Sequence, residues 1–338
     1  MILAVIGVDD STLNWDKKEM TRSPLLSVAL ASFNGERYIA EQLESIAQQY
    51  RLPDELVISD DASTDSTTDI VLRFARHAPF PVQLLEHSER LGSTRNFQTA
   101  ICACNGDIIF LCDQDDVWYP KKIELIEAGF IDNHNAGAVF TDADVVGENL
   151  NPSEIRLWEA FKFNSKEQAQ INGCDALEVL FKHPVVTGAT MAFRSIYRDL
   201  ILPLPDMWHD AWIALLIGAT SSLVALPTPL IAYRQHNSNQ LGIPRRGRNR
   251  GKTCAEIYGP QVLHYELTRA RLLAHEKHFP VSKQKLEKME ELLIFLRNRA
   301  ALPQSPWQRL PIALNELAAF RYHRYAFGTI SFWKDLLR

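Results

Sequence analysis

Cysteine is scarce and unpatterned. Cys102, Cys104, Cys112, Cys174 and Cys254 are five, an odd number, with no Cys-x-x-Cys pair and no zinc-ligand spacing. That argues against a disulfide framework or a structural zinc site and fits a reduced, cytosolic setting. Excess positive charge is also lacking: the formal net charge of −5 leaves no global footprint for nucleic acid, so any attraction to anions has to be local. No Gly-x-Gly-x-x-Gly follows the first apolar strand and no Gly-x-x-x-x-Gly-Lys occurs, which leaves a dinucleotide site or a P-loop unsupported. Met1 to Val8 is apolar but short, has no basic start and runs at once into Asp9 and Asp10, a poor secretory signal. One uncharged stretch, Ala211 to Tyr233, approaches the roughly 20 residues of a membrane helix. Thr220, Ser221 and Ser222 interrupt it, and Pro227 and Pro229 would break a continuous helix. A buried helix followed by buried strands is the expectation, with a membrane span as the alternative.

What remains is an ordinary globular composition, 46% hydrophobic over 338 residues, enough for one large domain with an appendage or for two domains. Its organising stretch is Gly106 to Lys122, GDIIFLCDQDDVWYPKK, an apolar run that ends abruptly in acids. Ionised carboxylates are too costly to bury unpaired, so Asp113, Asp115 and Asp116 belong at the strand's mouth. Alternation in an extended segment turns Asp113 and Asp115 to one side and Asp116 to the other. Two converging acids suit a hard divalent cation, Mg²⁺ or Mn²⁺, of the kind held by one or two carboxylates and substrate phosphates. The plainer reading is a solvated turn capping the helix that begins near Pro120.

Upstream, Leu25 to Ala31 reads as a strand, Ser32 to Gly35 as a turn, and Glu36 to Gln49 as a helix through Ile39, Leu43 and Ile46. Glu55 to Ser59 and Ser66 to His77 repeat the pattern around Asp60 and Asp61. Val82 to Glu86, the turn Leu91 to Thr94, and Arg95 to Cys104 repeat it again before the acidic strand. Strands alternating with helices imply parallel pairing, helices on both faces, and ligands beyond the strands' carboxyl ends. Ser32, Asn34, Asp60, Asp61 and the acids from Asp113 to Asp116 all fall at such ends.

SVALASFNGERYI, ELVISDDASTDST, LGSTRNF and FLCDQDDVW, within Leu25 to Ile123, resemble the nucleotide-binding half of inverting family 2 glycosyltransferases of the GT-A fold. DQDDVW is similar to the bacterial rhamnosyltransferase branch. The resemblance implies an α/β fold, a GT-A type, Rossmann-like, mostly parallel sheet with helices on both faces and a C-terminal helical extension. It implies an N-terminal extension (1–24), a glycosyltransferase domain (25–240, with a nucleotide-binding half 25–135 and an acceptor half 136–240), a basic loop (241–252) and a helical region (253–338). In the family, the acid after the second strand meets base and ribose, and the Asp-x-Asp acids meet ribose and the diphosphate-bound metal. By position these roles fall on Asp61, with Asp60 beside it, and on Asp113 and Asp115. The nucleotide-sugar set implied is Ser32, Asn34, Asp60, Asp61, Arg95, Asp113, Gln114, Asp116, Trp118 and Arg234, and the metal set is Asp113, Asp115 and His236.

Farther along, Gly137 to Val146 and Thr187 to Phe193 are expected strands, Asn151 to Asn172 is polar and helix-capable, and Asp175 to Phe181 a short helix. Asp210, in Met207 to Trp212, resembles the family's catalytic base. An inverting transfer needs a carboxylate to take the proton of the attacking hydroxyl, and an aspartate is ionised at neutral pH unless burial prevents it. The alternative is a helix N-terminal charge. IAYRQHNSN again resembles the rhamnosyltransferase-like members: Arg234 offers a guanidinium to a diphosphate and His236 a further metal ligand, or a structural histidine. Arg245 to Lys252 reads as a solvated loop, as closure over an anionic donor, or as a contact with anionic lipid headgroups. Helices are expected at Ile257 to Phe279, Ser282 to Arg299 and Pro306 to Tyr322, and no acid constellation stands out among them. From Arg297 onward cations outnumber acids and aromatics are interleaved, which suits a lipid interface or a packed helical cap.

The expected function is a metal-dependent inverting glycosyltransferase with Mn²⁺ or Mg²⁺. It would move a sugar, rhamnose from dTDP-rhamnose or another hexose, from a nucleotide-diphosphate donor to a hydroxyl of a glycan or polyprenyl-diphosphate-linked acceptor in cell-surface glycan synthesis. No nucleic-acid partner is expected. The setting is cytoplasmic, with peripheral contact at the inner face of the membrane through the C-terminal region. A catalytically silent nucleotide-sugar-binding or scaffold protein is the alternative.

Overall fold

The structure is a computed structural model that describes residues 23–173, 175–236 and 251–338. Of the expected segments, the N-terminal extension up to residue 22, Cys174, the end of IAYRQHNSN and the basic loop up to residue 250 lie outside the described residues.

The first half is built from the three strand–helix repeats. β1 (Leu26–Ser32), α1 (Ile39–Ala47), β2 (Glu55–Asp60), α2 (Thr67–Ala75), β3 (Val82–Glu86), α3 (Ser93–Ala103) and β4 (Ile108–Asp113) follow in order. The strands pair in parallel as β3-β2-β1-β4. The continuous apolar runs of β1, β2 and β4 are needed because both faces are covered. Val28 and Leu30 pack with Ile39, Leu43 and Val71 of α1 and α2, whereas Ala29 and Val57 pack with Phe97 and Ile101 of α3. Strand alternation thus divides the core into two layers.

After β4 comes a tight turn, then β5 (Val117–Trp118), α4 (Lys122–Asp132), β6 (Ala136–Val146), β7 (Pro152–Arg156), three short helices α5 (Leu157–Ala160), α6 (Ser165–Asn172) and α7 (Ala176–Leu180), β8 (Met191–Arg194), α8 (Arg198–Ile201), α9 (His209–Thr220) and β9 (Ser222–Arg234). The sheet continues as β4-β8-β6-β9-β5, with β7 on β6. β8 runs antiparallel to both β4 and β6, so the second half is mixed while the first is parallel. The uncharged stretch is α9, buried from Trp212 to Ala219, followed by β9. No described helix is long and apolar enough to cross a membrane.

The chain ends in α10 (Cys254–Ala274), α11 (Lys283–Ala300), α12 (Pro306–Ala318), α13 (Arg321–Tyr325) and α14 (Thr329–Leu337). α10 opens on a capping box: Thr253 accepts from the Glu256 amide while Glu256 accepts from the Thr253 amide. Tyr265 and Leu272 of α10 belong to the same apolar cluster as Trp212 of α9 and Phe97 of α3, so this helical part is continuous with the core that supports the cleft described next.

Candidate active site

A cleft of about 670 Å³ opens at the carboxyl ends of β1, β2 and β4, where open α/β sheets receive ligands. Its walls carry Ser32, Asp61, Arg90, Asn96, Asp113, Gln114 and Asp115 from the first half, and Thr187, Gly188, His209 and Asp210 from the second.

The first wall is tied together by side-chain-to-backbone bonds. Asp60 is buried and accepts from the Ser32 hydroxyl at 2.7 Å and from the amide and hydroxyl of Ser63 at 2.8 and 2.7 Å. It therefore closes the turn after β2 rather than facing the cleft. Asn34, in a left-handed conformation with φ of 45°, accepts from the Thr64 amide at 2.9 Å and pins the neighbouring turn. Asp61 does line the cleft, accepting from the amides of Leu91 and Gly92 at 2.6 and 3.0 Å, with Arg90 3.7 Å away. The Arg90 guanidinium lies 3.9 Å above the Phe33 ring, and Arg90 is the only lysine or arginine among the described cleft residues.

The β4 acids are arranged by the turn. Gln114 grips the Phe33 backbone through both amide atoms, accepting from its N–H at 2.8 Å and donating to its carbonyl at 2.9 Å. A Cβ on Gly35 would meet Gln114 Oε1 at 2.2 Å, so this latch needs glycine at position 35. Asp113 and Asp115 face the cleft, while Asp116 points inward and accepts from the Arg234 amide at 2.9 Å. Arg234 is buried, donating to the Asp115 carbonyl at 2.7 Å and the Glu148 carbonyl at 2.6 Å and pairing with Glu41. His236 Nε2 lies 2.8 Å from Asp115 Oδ2, its ring stacked on Tyr38. Arg234 and His236 thus brace the acidic turn from outside the cleft lining, and Trp118 lies behind it, packed against Phe110 and under the Lys122 ammonium at 3.8 Å.

Burial pushes the Asp113 carboxyl up to about 7, with the charges of Asp115 and Asp210 adding to the rise and Lys122 opposing it. Lys122, fully buried and donating to the Ala189 carbonyl at 2.6 Å, is pulled down to about 7 by the same desolvation.

Asp210 faces the ledge of Asp113 and Asp115 from the first turn of α9. Its Oδ2 accepts from the Gly188 amide at 3.3 Å and its Oδ1 from the Ala211 amide at 2.7 Å, which fixes the carboxylate against the cleft. His209 stacks on Phe97 at 4.4 Å, and burial depresses its pKa, Asp210 opposing. His264 of α10 is likewise driven down to about 4 by burial, with Asp210 again opposing, so the C-terminal helices reach the neighbourhood of the cleft. A smaller recess of about 350 Å³, reaching Thr94, Asp206 and Met207, shares Gly92, Ser93, Trp208, His209 and Asp210 with the main cleft. The carboxylate stands where two spaces meet.

The glycosyl transferase family 2 model matches residues 27–197, which spans β1 through β8 and every cleft residue of the first half. The chain belongs to glycosyl transferase family 2. A dTDP-rhamnosyl transferase of Shigella flexneri is 29% identical over 231 residues, covering 63% of this chain and 73% of that protein. An abequosyltransferase of Salmonella typhimurium is 30% identical over 105 residues, covering 30% and 32%. The match spans 66% of an uncharacterized glycosyltransferase of Nostoc sp. and 50% of a putative one of Bacillus subtilis. Among solved structures, S. aureus TarS in complex with UDP-GlcNAc aligns with a TM-score of 0.55 at 16% identity over 87% of this chain and 81% of that one. The mannosyltransferase of Pyrobaculum calidifontis, in complex with GDP-Man and Mn²⁺, gives 0.50 at 21% identity over 89% and 76%. At those identities the likeness is one of fold, and it fits the mixed α/β sheet with a helical C-terminal part.

For this family 2 glycosyltransferase the cleft brings together Ser32, Asp61, Asp113, Gln114, Asp115 and Asp210 of the expected set. Asn34, Asp60, Asp116, Trp118, Arg234 and His236 lie in the frame around it. Arg95 points outward on α3, 59% exposed and 3.4 Å from Asp206, while the next residue, Asn96, is buried in the wall and donates to the Ser32 carbonyl at 3.0 Å. Arg90 and Asn96 were not singled out by their sequence, whereas Gly188, read as a place of close backbone approach, has His209 and Asp210 against its Cα. LGSTRNF contained Asn96, but only the rotation of α3 decides which of two adjacent residues faces in. Among the described residues no group of three or more His, Cys, Asp or Glu is arranged as a closed metal site. The donor set still fits a cation of the kind that uses one or two carboxylates and completes its shell with phosphates and water: the Asp113 and Asp115 carboxylates both line the cleft.

Proposed function

We propose that this family 2 glycosyltransferase transfers a sugar from a nucleotide-diphosphate donor with inversion. The acceptor is a hydroxyl of a glycan or polyprenyl-diphosphate-linked precursor of cell-surface polysaccharide. The observation that carries the reading is the opposition of Asp210 to Asp113 and Asp115 across one cleft. Asp61 and the Arg90–Phe33 stack suit a nucleoside, the acidic ledge suits the diphosphate end, and Asp210 receives the acceptor's proton at its carboxylate. Asp113 and Asp115 are the residues that would hold Mg²⁺ or Mn²⁺. When bound, such an ion offsets the charge on the leaving diphosphate. Asp60, Asn34, Gln114, Asp116, Trp118, Arg234 and His236 position these groups, and Arg95 stands at the rim. The likeness to the Shigella enzyme favours rhamnose from dTDP-rhamnose over other hexose donors. The acceptor recess, with the indole of Trp208 48% exposed beside Asp210, suits the apolar face of a sugar ring. A cytoplasmic site with peripheral contact at the inner membrane face through the C-terminal helices belongs to the same reading.

The test is hydrolysis of a panel of dTDP-, UDP- and GDP-sugars with Mn²⁺ or Mg²⁺ present. Turnover of one donor class, abolished by chelation, is expected. Binding of a nucleotide sugar with no turnover under any condition would favour the silent binding protein instead.

The raised Asp113 pKa has its own consequence. A carboxyl whose pKa is higher folded than unfolded stabilises the fold at low pH, and this is lost as pH rises through about 7. A cation bound to the ionised ledge offsets that loss. Mn²⁺ should therefore raise the melting temperature more at about pH 8 than at about pH 6. A shift that is absent, or larger on the acid side, would exclude the ledge as the metal site.

A further inference from the structure

α14 carries apolar side chains on two sides. Ser331, Phe332 and Asp335 are buried against the helical core, whereas Ile330, Trp333 and Leu337 are 60%, 54% and 74% exposed. At 100° per residue, these three and Lys334 lie within about 100° of arc, so they form one outward stripe. α14 packs on α12, whose Trp307 is 84% exposed.

Charge completes the pattern. Residues 301–338 contain two acidic side chains, Glu316 and Asp335. Both are turned inward: Asp335 onto Arg299, Tyr258 and Tyr322, and Glu316 onto Arg321 and Asn298. Lys334 and Arg338 stay exposed. The outer face of this segment therefore presents aromatic and aliphatic side chains beside cations, with its own carboxylates withdrawn. A protein partner could accept the apolar stripe, but the one-sided charge suits a surface that is apolar just below an anionic layer.

We infer that the outward face of α14 docks on an anionic lipid bilayer. Trp333 sits at headgroup depth, Ile330 and Leu337 enter the acyl boundary, and Lys334 and Arg338 meet lipid phosphates. This rests on the membrane-facing part of the proposed function and not on the transfer chemistry.

The experiment is co-sedimentation of the full chain with vesicles of phosphatidylcholine alone, or of phosphatidylcholine and phosphatidylglycerol in equal parts. The protein should sediment with the anionic vesicles only, and added salt should release it. A Lys334→Glu, Arg338→Glu variant should bind at least about tenfold more weakly. A Trp333→Ser, Ile330→Ser, Leu337→Ser variant should lose binding while keeping its circular dichroism and nucleotide-sugar turnover. No sedimentation of the parent, or unchanged binding of both folded variants, would overturn the proposal. So would light scattering showing the parent as a dimer and the apolar-stripe variant as a monomer, since the stripe would then be covered by a second copy. Vesicle binding without turnover of any donor would count against the transferase reading and leave the docking face standing.

Discussion

Asp210→Asn should reduce sugar transfer by about 10²–10⁴-fold, the usual contribution of a positioned general base, while donor binding stays within a small factor of the parent. The amide keeps the shape of the carboxylate, and its one oxygen can still accept from the Ala211 amide at the cost of the longer 3.3 Å bond from Gly188, so the α9 terminus should still fold. What it cannot do is take a proton. Transition-state stabilisation is lost without loss of ground-state binding, so kcat should fall while the donor KM holds. Removing one of the facing acids, as in Asp115→Asn, should act differently, weakening the dependence on added Mn²⁺ and donor affinity together. If both substitutions lowered donor affinity alone, Asp210 would be part of the donor subsite and not the base.

The second large effect concerns stability. Asp335 is fully buried on α14 and accepts from Arg299 Nε at 2.6 Å, Tyr258 at 2.5 Å and Tyr322 at 2.9 Å, and its carbonyl accepts from Arg309 at 2.9 Å. One carboxylate thus joins α10, α11, α13 and α14. Removing it strands a guanidinium and two hydroxyls away from water. Asp335→Ala should cost about 3–5 kcal/mol in denaturant unfolding, the range for breaking a buried pair from one side. Pairing it with Arg299→Met should recover a good part, because the uncompensated charge goes with the arginine. A single variant no worse than a surface substitution would mean that the four helices are held by their apolar contacts alone.

The strand–helix repeats were legible because each apolar run is short, ends in turn residues and is followed by a 3.6-residue period. The acidic ledge was legible for a simpler reason: acids cannot follow a buried strand inward. Asp113 and Asp115 do face the cleft and Asp116 does turn away, although a turn at Gln114 and Asp115 produces this rather than continued strand alternation. The residues read differently in three dimensions are those whose partners are distant in sequence. Arg234 is spent on Glu41 and on the backbone of Asp115 and Glu148, pairings that no local pattern encodes. β7 hides in a polar stretch expected to be helix-capable, since its support is the pairing of Arg156 with Asp144 on β6. Pro306 to Tyr322 is two helices, parted at Phe320, which takes a left-handed φ of 60°. No acid constellation stood out in the C-terminal helices, because the arginine and tyrosines that surround Asp335 come from three other helices.

The proposed function needs one cleft to set an acidic ledge for the donor diphosphate against a separate carboxylate for the acceptor. Anomalous scattering from Mn²⁺ in crystals grown with a nucleoside diphosphate tests this arrangement most directly. A metal peak is expected at the carboxylates of Asp113 and Asp115, with the base and ribose toward Asp61 and Asp210 left open to the acceptor side. A metal bound elsewhere, or a nucleotide whose phosphates lie against Asp210, would contradict it.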